Sequence, residues 1–285
     1  MKLINTIIFF SISFSLSLAY TYGQNASYSV EDIHIFDKYI QHIQLEQHSS
    51  KQELLQATAT FFIGTPYVAG TLDINDKESL IINLREFDCV TFIETVIALA
   101  NTVESGNYSF DNFSSQLQKI RYRNGVVDGY ESRLHYTTDW IYANIQNKLL
   151  SPSEVQSEYV LDDKKIDFMS THQSAYNALK DDDVMLNKIR LVEDNINNRG
   201  GFRYLPKDSI VTLADKIGHM SMVAFTTSIK GLDTTHTGFT YKNGDKLGLI
   251  HASSLQKKVV IDNKSLSEYC MSQKSSTGVI VANVE

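Results

Sequence analysis

The fold is decided by a predicted β-hairpin at residues 234–253, which reads TTHTGFTYKNGDKLGLIHAS. Both arms are rich in the β-branched and aromatic residues that favour strands. Asn243-Gly244 stands between them, and this dipeptide is the strongest short-range signal for a two-residue hairpin turn. A turn centred on these residues pairs Lys242 with Asp245 and fixes the register of the whole hairpin.

The hairpin carries two histidines, His236 and His251, which its predicted register brings together. They stand directly opposite each other on one face, with Cβ atoms about 4.5–5.5 Å apart. A three-residue loop would instead put them on opposite faces. A chance pair on a surface hairpin is the simplest alternative. A zinc site is another, and His219 and Asp215 are available for it, but they form no familiar zinc pattern.

The rest of the chain predicts helices followed by an antiparallel sheet. Helical spacing of apolar residues marks two helices between residues 30 and 62, broken near Ser49-Ser50, and a helix after Asp88. Further helices are expected at 110–120, 133–147 and 181–197, and strands at 165–170, 219–227, 234–242, 246–253, 258–262 and 278–284. Since no internal repeat or low-complexity linker divides the chain, we expect one domain of the α+β class.

Cys89 lies one residue after Asp88, a plausible N-cap, at the start of an amphipathic helix that Gly106 ends. Free backbone amides and the positive end of the helix dipole favour a thiolate at this position. Two other readings are open: a lone cysteine is most often a buried small hydrophobe, and export would permit a disulfide with Cys270. The inner face of the helix is expected to comprise Val90, Ile93, Val96, Ile97, Ala100 and Val103.

Cys89, His236 and His251 together fit the requirements of nucleophilic catalysis by cysteine. Such a site needs a thiolate at a helix start, a histidine base and a third polar group that orients the base. His236 follows Cys89 by roughly 150 residues, which is the order and spacing of papain-like chains. The three residues are therefore predicted to form a catalytic triad.

Composition and the first residues indicate an exported globular protein. The 285 residues include 42% hydrophobic residues, and the formal charge of −7 without a long basic run argues against nucleic-acid binding. Residues 1–23 are interpreted as a signal peptide, cleaved after Ala19 or Gly23, because Lys2 precedes an uncharged apolar run. An uncleaved anchor is the alternative, although the run is short for a membrane span. We expect residues 24–285 to reside in the periplasm or outside the cell.

Several motifs resemble those of the NlpC-type papain-like peptidoglycan hydrolases. They are GTPY (64–67), DC (88–89), HTG (236–238) and IHA (250–252). A subfamily later recognised as N-acetylmuramoyl-L-alanine amidases is more similar still, over roughly residues 55–283. Its marks here are FDCVTFIE (87–94), RYRNG (121–125), SRLHYTTDW (132–140), DFMSTH (167–172), GLDTTHTG (231–238) and HASS (251–254).

The resemblance implies a papain-like NlpC-type fold in which the helix that begins at the nucleophile packs on a central antiparallel sheet. Extra N-terminal helices and a mid-chain insertion would complete the single catalytic domain. The implied reaction is hydrolysis of the amide between N-acetylmuramic acid, in some members its anhydro form, and L-alanine. A stem-peptide endopeptidase and a non-catalytic wall-binding module are the alternatives.

The resemblance also assigns roles to individual residues. Tyr67 borders the nucleophile and is the candidate side-chain donor to the oxyanion, beside the Cys89 amide. Arg133 is expected to pair with a stem-peptide carboxylate, and Tyr136 or Trp140 to stack on sugar, with core packing as the alternative for the two aromatic residues. No metal or organic cofactor is implied. The expected partners are peptidoglycan fragments, with no nucleic acid, no membrane after signal cleavage, and a monomeric state.

Two positions depart from the pattern of these relatives. His219 follows Gly218 where an aspartate is usual, and could alter the rim of the site. Thr237 follows the predicted catalytic histidine where valine is common.

Overall fold

A computed structural model describes residues 26–45, 50–75 and 77–285, so the predicted signal peptide lies outside the described residues. The helices in these ranges are α1 (Val30–Gln44), α2 (Lys51–Phe61), α3 (Cys89–Glu104), α4 (Phe110–Arg121), α5 (Thr137–Gln146), α6 (Phe168–Thr171), α7 (Asp183–Asn197) and α8 (Leu266–Ser272). The strands are β1 (Ala26–Ser27), β2 (Leu80–Ile81), β3 (Leu150–Pro152), β4 (Val160–Asp162), β5 (Phe202–Pro206), β6 (Met222–Thr227), β7 (Thr234–Asn243), β8 (Lys246–Ser253), β9 (Lys258–Ile261) and β10 (Ser276–Val284).

The centre of the molecule is an antiparallel sheet in the order β4-β5-β10-β6-β7-β8-β9, with β3 paired to β10 at one end. The helix α3 packs on β7 and β8, where the rings of Phe92 and Phe239 meet edge to face at 6.1 Å. The predicted α+β class with a central antiparallel sheet is confirmed. One continuous core reaches from Phe36 in α1 to Val284 in β10. The mid-chain segment, residues 151–210, contributes to a smaller core around Ile166 and Ile189.

The histidine hairpin forms, but two residues out of the predicted register. Asn243 pairs with Lys246, so the turn is centred on Gly244 and Asp245 instead of Asn243 and Gly244. Gly244 has φ of 60°, which suits the first central position of a type II′ turn. His251 therefore lies beside Gly238 and diagonal to His236, so the expectation of a directly opposed pair is wrong. Because side chains alternate with a period of two, both histidines still lie on one face.

Two other predicted elements differ from the structure. The strand expected at 165–170 is wrong: only Ile166 forms a β-bridge, to Gly231, and the amides of Asp167 and Phe168 both bond to the Gly231 carbonyl before α6 begins. The helix expected from residue 133 begins only at Thr137, since the backbone of Arg133 and of Tyr136 is extended. Among the described residues, no helix combines the length and apolarity needed to cross a bilayer.

The helix α3 is buried on nearly every side, not only on the predicted face. Its one buried carboxylate is Glu94, which accepts hydrogen bonds from Arg121 Nε at 2.7 Å and Trp140 Nε1 at 3.1 Å. Glu94 and Arg121 are each only 2% exposed. This network joins residues of three of the sequence motifs, so part of their role is to lock α3, α4 and α5 together.

Candidate active site

Cys89 is the first residue of α3 and is held from two directions. Asp88 caps the helix by accepting hydrogen bonds from the amides of Val90 and Thr91, at 3.0 and 2.8 Å. From the sheet, the Thr237 hydroxyl donates to the Cys89 carbonyl at 2.8 Å. The threonine that departs from the relatives' pattern thus ties β7 to the start of α3 and fixes the position of Cys89.

His236 and His251 are hydrogen-bonded through their rings, with His236 Nε2 and His251 Nδ1 2.6 Å apart. Gly238 makes the approach possible, since a Cβ at that position would lie 3.0 Å from His251 Cβ. The bond occupies Nε2 of His236 and leaves Nδ1 as the nitrogen available to Cys89, which lines the same cavity. The structure therefore brings together the three residues of the predicted triad.

Two aromatic rings hold the plane of His236. Phe225 on β6 and Tyr269 on α8 both lie 5.8 Å from it, ring centre to ring centre, each tilted by 34°. Tyr269 also contacts the His251 ring edge to face at 5.2 Å. Sequence reasoning missed Tyr269, because no motif marks α8 and only the folded sheet brings it to the histidines.

A carboxylate lies behind the histidine pair. His251 is fully buried, and its Nε2 lies 3.5 Å from Oδ2 of Asp262, the residue that follows β9. His251 Nε2 has no hydrogen bond of normal length to any described residue. Asp262 was also missed from the sequence, since it reaches His251 only through the pairing of β8 with β9.

The surroundings of Cys89 and His236 favour the neutral form of each side chain. Burial, and after it the Asp88 carboxylate, raises the pKa of the Cys89 thiol to about 12. Burial, and after it His251, lowers the pKa of His236 to about 3. The helix start was expected to favour a thiolate at Cys89, but burial opposes ionisation and Asp88 occupies two of the helix amides. Proton transfer from Cys89 to His236 creates both charges together, and their attraction offsets the cost of burying each.

Cys89 and His236 open into a cavity of about 200 Å³ between α3, β7 and the mid-chain segment. Its walls include His135, Tyr136, Thr137, Met169, Tyr176, Asp233 and Thr234. Asp233 is fully engaged as a support: it accepts hydrogen bonds from Thr138 N and Oγ1 and from Thr234 N, and so holds the start of α5 against the cavity. A larger cavity of about 340 Å³ between α5, α7 and β10 contains neither Cys89 nor His236.

The predicted substrate contacts are only partly at this cavity. Tyr136 lines it, but its hydroxyl donates to Glu193 at 2.7 Å and its side chain is 2% exposed, so sugar stacking is wrong. Trp140 is 1% exposed and bonded to Glu94, and core packing is its role. Arg133 does not line the cavity and is paired with Asp73, and its pairing with a substrate carboxylate stays a prediction.

His135 lines the cavity, and the sequence predicted no role for it. Its Nε2 lies 2.7 Å from the Tyr130 carbonyl, and its ring packs against the Tyr130 ring at a tilt of 39°, with centroids 4.2 Å apart. Because a carbonyl only accepts, Nε2 carries the proton and Nδ1 is an acceptor. Its signal was its place in the SRLHYTTDW motif.

Tyr67 lies beside the nucleophile as predicted from the GTPY loop. Its amide bonds to the Lys257 carbonyl, and its side chain is half-buried. Burial is the main cause that raises its pKa to about 12, so the phenol is a hydrogen-bond donor at neutral pH. Its role as a donor to the oxyanion stays a prediction.

The remaining candidates lie elsewhere. His219 bonds to Gln56 at 2.7 Å and accepts from Lys242 N at 3.0 Å, outside the cavity lining. Both cysteines are free, and Cys270 is buried. Within the described ranges, no group of three or more His, Cys, Asp or Glu residues could hold a metal ion.

Comparisons with known proteins point to one family. The model of the AmiA-like family, N-acetylmuramoyl-L-alanine amidase-like, matches residues 57–279. The crystal structure of an N-acetylmuramoyl-L-alanine amidase from Bacteroides uniformis ATCC 8492 is 33% identical, with a TM-score of 0.76 over 82% of this chain and 99% of that one. A Bacteroides fragilis structure provisionally described as a xylanase is 36% identical, with a TM-score of 0.72 over 80% of this chain and 99% of that one.

A more distant structure shares the fold. A protein from Legionella pneumophila str. Philadelphia 1 is 22% identical, with a TM-score of 0.65 over 89% of this chain and 94% of that one. A comparison with curated proteins finds no match.

Proposed function

Since the chain belongs to the AmiA-like family of N-acetylmuramoyl-L-alanine amidase-like proteins, we propose that it is a cysteine-dependent amidase. Its substrate is the amide between the lactyl group of N-acetylmuramic acid, including the anhydro form, and L-alanine. The observation that carries the proposal is the placement of Cys89 at the start of α3 in one cavity with the bonded histidine pair. This is the arrangement that papain-like acyl transfer requires.

The reaction begins when Cys89 loses its proton to His236 Nδ1 and its sulfur attacks the lactyl carbonyl carbon. The tetrahedral intermediate collapses with cleavage of the C–N bond, and His236 returns the proton to the departing L-alanine amine. A thioester between the lactyl carbon and Cys89 remains. His236 then takes a proton from water, the hydroxide displaces the thiolate, and the muramic acid carboxylate is released.

The candidate donors to the oxyanion of each tetrahedral intermediate are the Cys89 amide and the Tyr67 phenol. Asp88 occupies the amides of Val90 and Thr91 but not that of Cys89, so the Cys89 N–H is available. Tyr67 adds a neutral phenol beside the sulfur. Such donors stabilise charge that develops only during the reaction.

Glycoside hydrolysis, suggested by the description of the Bacteroides fragilis neighbour, fits this cavity poorly. It usually requires two carboxyl groups flanking the scissile bond. Asp233 is the one carboxylate among the described residues that line the cavity, and its oxygens are taken up by Thr138 and Thr234. The volume of about 200 Å³ suits the lactyl–alanine junction, with the sugar and the rest of the peptide outside.

We also propose that the enzyme acts outside the cytoplasm, on peptidoglycan fragments. The support is the apolar run after Lys2 in the sequence, which is typical of a signal peptide. Peptidoglycan is the exported polymer in which the proposed bond occurs, so the predicted location and the proposed chemistry agree.

Digestion of a defined muropeptide, followed by mass spectrometry, tests the proposal. We expect free N-acetylmuramic acid and a peptide that begins with an intact L-alanine, and no such products with Cys89→Ala. Cleavage between two amino acids would instead favour an endopeptidase. Binding without turnover by the unmodified protein would favour a wall-binding module, and full activity of Cys89→Ala would remove the nucleophile from the account.

A further inference from the structure

The bond between the two histidine rings can hold its proton in two ways. In the first arrangement His236 Nε2–H donates to His251 Nδ1, and the lone pair of His236 Nδ1 is free to accept the thiol proton of Cys89. In the second, His251 Nδ1–H donates to His236 Nε2, and the proton of His236 sits on Nδ1. A neutral imidazole carries one proton, so in the second arrangement His236 cannot act as a base towards Cys89.

Asp262 distinguishes these arrangements. Its carboxylate Oδ2 faces His251 Nε2 at 3.5 Å, and a carboxylate can only accept. It therefore stabilises a proton on His251 Nε2, which requires Nδ1 of the same ring to be the acceptor. This arrangement is the first one. His251 is fully buried, so solvent does not compete for the choice.

The orientation of Asp262 is itself fixed by the chain around it. Its Oδ1 accepts from the Lys264 amide at 2.8 Å, and its own amide donates to the Leu249 carbonyl at 2.8 Å. Oδ2 receives a weaker contact, at 3.5 Å, from the exposed side chain of Gln256. The oxygen that faces His251 is thus held in place by backbone bonds on the other side of the carboxylate.

We propose that Asp262 is a positioning residue that sets the tautomer of both histidines, so that His236 presents an unprotonated Nδ1 to Cys89. This inference rests on the proposed function, because it assumes that His236 is the base. It extends the site to a chain of four groups, Cys89, His236, His251 and Asp262.

The substitution Asp262→Asn tests this role because it replaces an acceptor that faces His251 with a donor. The direction of the hydrogen bonds through His251 and His236 is then reversed, with little change in the shape of the side chain. The Lys264 amide needs an acceptor, so the amide oxygen of the new side chain takes the place of Oδ1. Its NH₂ group then faces His251 Nε2 and forces that nitrogen to be an acceptor. His251 Nδ1 must carry the proton, and the proton of His236 moves to the nitrogen that faces Cys89.

We expect Asp262→Asn to slow the reactions of Cys89 more than Asp262→Ala does. For Asn we expect at least about a hundredfold loss, by analogy with the wrong tautomer in a serine-protease triad. For Ala we expect about a tenfold loss of rate, since the side chain at position 262 then favours neither arrangement of the histidine protons. A merely structural role predicts the opposite order, because Asn has nearly the size of Asp. Asp245→Asn, an exposed aspartate in the hairpin turn, is the matched control and should leave the rates unchanged.

Two rates are measured. One is hydrolysis of the muropeptide. The other is alkylation of Cys89 by iodoacetamide, which mass spectrometry of the peptide that contains Cys89 detects. Alkylation needs the same base but no substrate. If the order holds for alkylation while no muropeptide is cleaved, the proposed substrate is wrong and the role of Asp262 stands. If Asn reacts as fast as or faster than Ala in alkylation, the role of Asp262 is overturned.

Nitrogen-15 chemical shifts of the His236 ring give a readout independent of rate. We expect an unprotonated Nδ1 in the unmodified protein and in Asp245→Asn, and a protonated Nδ1 in Asp262→Asn. A His236 tautomer that is the same in Asp262→Asn and in the unmodified protein would contradict the proposal.

Discussion

At the scale of single residues, the proposed reaction activates Cys89 during catalysis and not before it. Burial raises the pKa of its thiol, and burial likewise lowers the pKa of His236, so both shifts favour the neutral forms. Reactivity therefore depends on groups that stabilise charge as it forms. Tyr67 and the Cys89 amide are the groups that we propose for this role.

Tyr67→Phe is expected to lower kcat about a hundredfold with little change in KM, the usual size of effect when one oxyanion donor is removed. The matched control is Tyr269→Phe. Tyr269 contributes its ring to the packing of His236, which phenylalanine retains, so its kcat should change only a few-fold. Steady-state kinetics on the muropeptide checks both variants. Equal effects would show that Tyr67 is not the special donor.

The sequence was informative for residues whose chemistry is marked locally. Cys89 follows a helix cap, and His236 and His251 lie in one hairpin, so all three could be found without a structure. Asp262 and Tyr269 could not, because their approach to the histidines depends on how β9 and α8 pack. The roles of Trp140 and Arg133 could not be decided from the sequence, because the same residue types that bind sugars and carboxylates also satisfy buried partners.

At the scale of elements, α3 depends on one buried ion pair. Glu94→Ala leaves Arg121 buried without its partner and removes the acceptor for Trp140 Nε1. We expect it to lower the free energy of unfolding by about 3–5 kcal/mol. Glu104→Ala, on the same helix, removes the ion pair with Lys51, in which Glu104 is 57% exposed, and should cost at most about 1 kcal/mol. Urea denaturation of both variants measures the difference, and equal losses would contradict the role of the Glu94 network.

The elements themselves were predicted well where their patterns are periodic. The helices α1 to α4 and the strands β6 to β10 follow from apolar spacing in the sequence. The hairpin register does not follow from the sequence, because Gly244 could occupy either central position of a two-residue turn. The choice between them depends on how β7 packs on β6 and α3. The short strands β3, β4 and β5 carry too few residues for a pattern to emerge.

At the scale of the whole molecule, stability should depend on pH through buried histidines. Burial, and after it the Arg133 charge, lowers the pKa of His135 to about 3. The unfolded chain takes up this proton near pH 6.5 while the folded chain does not, so this histidine's contribution to stability falls as pH drops below 6.5. Burial raises the pKa of Glu94 and Asp233, which has the opposite effect in acid.

Comparison with His135→Gln isolates the histidine from these carboxylates. Glutamine can still donate to the Tyr130 carbonyl but does not titrate. We expect the unfolding free energy of the unmodified protein, relative to the variant, to fall by up to about 1.4 kcal/mol per pH unit from pH 6.5 towards 4. Denaturant titrations at several pH values measure this difference. A difference that does not change with pH would contradict the burial of a neutral His135.

The central claim, that Cys89 hydrolyses the lactyl–alanine amide, is tested most directly by digestion of a defined muropeptide in ¹⁸O-labelled water. We predict that the unmodified protein places one labelled oxygen in the carboxylate of N-acetylmuramic acid, leaves the L-alanine peptide unlabelled, and loses this activity in Cys89→Ala. Label in a peptide carboxylate, or the same labelled sugar from Cys89→Ala, would contradict the claim.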